Sequence, residues 1–166
     1  MAESFQERFN RKYKERMERT RIEYTQRNRL FDVYNEMVKT LFELIERKVS
    51  GTPIVVEKNN VNVERRLSIF ESRKEELPSL KLRLQEYEIS FIPEGINYQT
   101  GAASLRVEHN NPREQPQTLY LHLRRVNENE GNSEGEMVWM IKIGFRNFSA
   151  LSEEILEKLI ESIFLS

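Results

Sequence analysis

The spacing of hydrophobic positions changes once along the chain, from a helical period to an alternating one, and returns to a helical period at the end. Residues 1–50 contain neither Gly nor Pro and are dense in Glu, Lys, Arg and Met, whose unbranched side chains keep most of their freedom in a helix. In the second half of that stretch Leu30, Tyr34, Met37, Val38, Leu41, Phe42 and Ile45 recur at spacings of three and four, which lays one broad apolar stripe against a core. Ser50-Gly51-Thr52-Pro53 then predicts the end of the helix, since Gly51 suits a left-handed cap and Pro53 cannot continue the ladder.

The first half carries a narrower stripe, Phe5, Phe9, Tyr13 and Met17, set every fourth residue among charges. An unbroken helix would run about 70 Å at 1.5 Å per residue, whereas the ~117 residues left over make a body only about 35 Å across. The N-terminal half must therefore overhang, and three outcomes are open. It meets a partner chain, folds back near Thr25-Gln26-Arg27-Asn28, or frays. The coiled-coil pattern lapses at Thr20, Arg21 and Arg27, which argues for a short contact rather than a long coil.

After Pro53, Ile54-Val55-Val56 reads as a short strand. Asn62 is in place to cap a helix through Val63, Leu67 and Phe70 to Leu77, closed by Pro78, with a strand from Val61 to Ile69 as the alternative. Beyond it the period falls to two. Leu80, Leu82 and Leu84 alternate with Lys81 and Arg83; Tyr87, Ile89 and Phe91 with Glu88 and Ser90; Ala103, Leu105 and Val107 with Ser104, Arg106 and Glu108. Two further alternating runs follow, Leu119, Leu121 and Leu123 against Tyr120, His122 and Arg124, then Met137, Trp139, Ile141 and Ile143 against Val138, Met140 and Lys142. Such runs predict half-buried strands. Pro93-Glu94-Gly95, Asn110-Asn111-Pro112 and the polar run 127–135 read as hairpin connections, the last as a mobile tip. Connections this short imply antiparallel neighbours.

A last helix begins near Ser149 or Ser152 and buries Ile155, Leu156, Leu159, Ile160, Ile163 and Phe164. The predicted fold is α+β: an antiparallel sheet of five or six strands, its apolar face packed by the N-terminal and C-terminal helices and its polar face open. The organisation expected is a charged helical arm over 1–29 and a single domain over 30–166.

Charge sharpens the division. Residues 1–29 hold nine Lys/Arg against five Glu, a surplus of four, in a chain whose net charge is −1. At 38% hydrophobic and 32% charged the chain is apolar enough to fold yet unusually charged. There is no cysteine, so disulfides, thiolate metal sites and cysteine nucleophiles are excluded. Asp32 is the single aspartate, which weighs against magnesium, calcium or two-metal chemistry. His109 and His122 lack carboxylates at ligand spacing, and neither a nucleophile elbow nor a phosphate-binding glycine loop is present. Asn147-Phe148-Ser149 is a sequon without a secretory signal. No run reaches the ~18 apolar residues of a membrane span, and a cytoplasmic location is expected.

These readings expect a chain that is not an enzyme, holds no cofactor or metal, and works by interaction. The first surface is Phe5, Phe9, Tyr13 and Met17, for a protein partner or a second copy. The alternative is nucleic acid, met by Arg8, Arg11, Lys12, Arg16 and Arg19 on the arm and by Lys81, Arg83, Arg106, Tyr120, His122, Arg124 and Lys142 on the polar sheet face. The same charges also have structural uses. Glu7–Arg11, Glu15–Arg19 and Glu23–Arg27 are placed for intrahelical pairs, and cross-strand Arg–Glu pairs would occupy the sheet face.

Overall fold

A computed structural model of the chain describes residues 2–126, 136–143 and 147–166; the polar run 127–135, read above as a hairpin tip, lies outside the described residues. Helix α1 (Phe5–Val49) is followed by strands β1 (Val55–Arg66), β2 (Ser72–Leu84), β3 (Tyr87–Ile96), β4 (Ala103–His109), β5 (Thr118–Arg125), β6 (Met137–Ile143) and β7 (Asn147–Ala150), and helix α2 (Glu153–Leu165). The strands form one antiparallel meander in chain order, β1 to β7. The α+β class expected from the sequence holds, with seven strands in place of five or six.

Helix α1 is continuous through Thr25–Asn28, where a fold-back was one expectation. Ser4 caps its start by accepting the Glu7 amide at 3.2 Å, and the Ser50 amide donates to the Glu46 carbonyl at its end. Its second half buries Phe31, Tyr34, Val38, Leu41, Phe42, Ile45 and Val49 on the sheet face formed by Leu80, Leu82, Ile89, Phe91, Leu105 and Leu121. Helix α2, capped by Ser152 accepting from the Ile155 amide, covers the rest of that face with Leu156, Ile160, Ile163 and Phe164. Lys48 joins the two helices, its Nζ lying 2.7 Å from both Glu153 and Glu157.

Three local expectations change. Residues 62–77 are not a helix: β1 and β2 pair in register from Val55↔Arg83 to Arg66↔Ser72, so that Val61 opposes Leu77. A helix there would have had to bury Phe70, whereas Phe70 sits at the hairpin turn and is 86% exposed. The alternation of Val61 and Val63 with Asn60, Asn62 and Glu64 prevails over the isolated capping signal at Asn62.

Pro93-Glu94-Gly95 is a bulge inside β3, not a turn. The bulge is held by Tyr34, whose buried hydroxyl donates to the Ser104 carbonyl at 2.6 Å and accepts the Gly95 amide at 3.0 Å. Gly95 has φ +86°, and a Cβ at this position would overlap Cγ1 of Val63, so both backbone and space require glycine. The actual turn follows at Asn97, whose side-chain oxygen accepts the amides of Gln99 and Thr100. Finally, β7 pairs with β6 from Met140↔Ala150 to Ile143↔Asn147; four residues are too few for an alternation to be read.

Candidate interaction surfaces

The first residue of α1 to pack on the core is Tyr24, stacked on Tyr98 with centroids 5.8 Å apart. Arg27 then donates to the Gln99 carbonyl at 3.2 Å, and the Asn28 amide nitrogen donates to the Arg66 carbonyl at 2.9 Å. N-terminal to Tyr24 the helix extends for about five turns, or ~28 Å. Along it Phe5, Phe9 and Tyr13 are 67%, 56% and 54% exposed, and Met17 is half-buried. Phe5 and Phe9 touch each other, with centroids 5.8 Å apart, and the Arg8 guanidinium lies over Phe5.

The flanks of this stripe are pinned by ion pairs, though only one of the three anticipated pairs forms. Glu23–Arg27 is present at 3.4 Å. Arg11 instead reaches back to Glu3 with two bonds of 3.1 and 3.2 Å and forward to Glu15 at 3.4 Å, because the carboxylate ahead of the helix offers a bidentate partner. Arg11 holds the Glu3 carboxyl below its usual range by that hydrogen bond. Arg21 likewise pairs with Glu18.

On the open sheet face the basic residues divide into two groups. Arg83 bridges Glu88 at 2.9 Å and Glu57 at 3.3 Å, Lys81 lies 3.9 Å from Glu88, and Arg106 contacts Glu108 at 2.8 Å and Glu94 at 3.9 Å. Apart from Arg106–Glu108, which runs along β4, these are the cross-strand pairs that a solvated face produces. Towards β7 the chemistry is different. Arg124 stacks over the Phe148 ring at 4.1 Å, and His122 meets the same ring edge-on at 5.8 Å. Tyr120, two residues along β5, is 44% exposed. Burial, with the neighbouring charges of Arg124 and Lys142, lowers the His122 pKa below its ordinary value. Phe148 was not singled out in the sequence; it lies on the four-residue β7, and only the register that sets it opposite Lys142 brings it to this cluster.

His109 serves the β4–β5 connection, its Nε2 lying 3.0 Å from the Pro116 carbonyl and its Nδ1 accepting the Asn111 amide at 3.2 Å. Asp32 accepts from Arg65 at 3.0 Å. Among the described residues no group of three His, Asp or Glu is placed to hold a metal ion, and no helix is long and apolar enough to cross a membrane. No family model, curated protein or solved structure matches this chain.

Proposed function

We propose that the chain is a protein-interaction module that associates with a second copy of itself through the first five turns of α1. The observation that carries this reading is the row Phe5, Phe9 and Tyr13, three large rings more than half exposed on a stretch of helix N-terminal to Tyr24, the first α1 residue that packs on the core among the described residues. Contiguous exposed aromatics on a rigid element are the usual anchors of protein interfaces. Their spacing also favours one geometry. Residues four apart drift by about 40° per step around a helix of 3.6 residues per turn, so the stripe runs obliquely, as the i±4 ridge that packs against its like at a crossing angle near −50°. Two such helices would cross once, at the rings, and a two-fold axis through the crossing makes the contact self-complementary.

Light scattering on the full chain and on a variant lacking residues 2–22 tests the reading. The full chain is expected to show twice the monomer mass, and the shortened chain and the Phe5→Glu/Phe9→Glu variant the monomer mass. A full chain that stays monomeric up to about 100 µM, far above the micromolar range of specific association, would refute self-association.

A further inference from the structure

We propose that the hollow between the C-terminal ends of α1 and α2 binds a small aliphatic amine, its alkyl chain in the apolar interior and its ammonium at Glu161. The hollow measures about 290 Å³, at the lower end of the range for small-molecule sites. It exists because the chain leaves α1 sharply after Val49, with Gly51 at φ +82°, and because the β1–β2 ladder starts only at Val55↔Arg83. Ile54 and Leu84 lie just beyond that ladder and line the hollow, opposite Ile160 and Phe164 of α2.

The interior offers a ligand nothing polar to hold. Thr52 lines it too, but its hydroxyl donates to the Val49 carbonyl and accepts the Ile54 amide. Val49, Ile54, Leu84 and Ile160 are aliphatic, which suits an alkyl chain. The charged groups at the hollow are Lys48, Glu157 and Glu161, and they are unbalanced. Lys48 is committed, its Nζ lying 2.7 Å from both Glu153 and Glu157. Glu161 forms no ion pair among the described residues, since the other cation of α2, Lys158, pairs with Glu154. The helix ends add to this negative field. The last turn of α1 carries Arg47 and Lys48 against its carbonyl dipoles, whereas the last turn of α2 carries no basic residue. An apolar interior beside an unmatched carboxylate selects a ligand that is apolar at one end and cationic at the other.

The test is methyl NMR of the full chain titrated with hexylamine, hexanol and hexanoate, which share a chain length and differ in charge. Hexylamine, protonated at neutral pH, should shift the Ile54, Leu84 and Ile160 methyls with a dissociation constant on the order of 1 mM. It should bind about threefold tighter than hexanol, the scale of one solvent-exposed ion pair, and hexanoate should bind weakest. Butylamine should bind about tenfold more weakly than hexylamine, for two lost methylenes. Glu161 is exposed, so its variants keep the fold: Glu161→Gln should erase the preference for the amine, and Glu161→Lys should turn it towards hexanoate. Ile54→Trp should fill the hollow and abolish binding; should it misfold by circular dichroism, the Glu161 variants still decide. Phe5→Glu/Phe9→Glu should bind hexylamine as the unaltered chain does, which separates this site from the self-association above. Absence of shifts at these methyls, equal affinity for hexylamine and hexanol, or a preference for the amine that survives Glu161→Lys would each overturn the proposal.

Discussion

Arg65 donates from Nε to the side-chain oxygen of Asn28 at 3.0 Å, and from a terminal nitrogen to the Asn28 main-chain carbonyl at 3.2 Å. The two bonds tie the β1–β2 hairpin to α1 near the point where the helix leaves the body. Arg65 is well enclosed, its side chain 12% exposed, with Asp32 and Glu75 at 3.0 and 3.4 Å and the Phe31 ring 4.7 Å beneath its guanidinium. Asn28 in turn donates to the Arg66 carbonyl, so each residue satisfies polar groups that the other's loss would strand. Asn28→Ala and Arg65→Ala should each cost about 1–3 kcal/mol. A double-mutant cycle by denaturant unfolding should show coupling of about 1 kcal/mol, and additive losses would contradict the assignment.

Tyr34 predicts a different response. Replacing it with Phe leaves the Ser104 carbonyl and the Gly95 amide without their hydroxyl partner, at a cost of about 1–3 kcal/mol. Its pKa is raised well above the ordinary tyrosine value, chiefly by burial. With the folded pKa raised, the unfolded chain gives up this proton first, so stability falls as pH rises past the unfolded value of about 10. Urea titrations between neutral pH and about pH 11 should show the wild type losing more stability over this range than Tyr34→Phe. Equal losses would mean that the phenol ionises as readily inside as out.

The strand assignment of 62–77 separates two apolar residues that a helix would have treated alike. Leu77 is 1% exposed and opposes Val61, whereas Phe70 is 86% exposed at the turn. Leu77→Ala should therefore cost about 2–4 kcal/mol, and Phe70→Ser less than about 0.5 kcal/mol. Thermal unfolding of the two variants distinguishes them.

Asn111 is the one fully buried polar residue among those described. Its amide donates to the Ile163 carbonyl at 2.7 Å and the Ser166 hydroxyl at 3.0 Å, and its oxygen accepts the Arg113 amide at 3.0 Å. This closes the end of α2 from a distant loop. Asn111→Leu should destabilise by about 1–3 kcal/mol and raise amide exchange across Ile160–Leu165 before the rest of the sheet. Uniform exchange across the chain would show that α2 does not open separately.

Periodicity alone determined most of the architecture. The three-and-four spacing from Leu30 to Ile45 and the alternation in β2 to β6 each match a face that the tertiary structure buries, because burial is what selects such patterns. The exposed row of Phe5, Phe9 and Tyr13 was legible for the same reason, as a stripe on a helix longer than its body. Where local signals conflicted or were short, only the fold decided. The Asn62 cap yielded to a pairing partner in β2, Pro93-Glu94-Gly95 became a bulge because Tyr34 reaches it from α1, and β7 was too brief to show a period. The partition of the basic residues was equally invisible. Which arginines meet carboxylates, and which one stacks on Phe148, depends on strand register, since residues distant in sequence become neighbours only when the core aligns them.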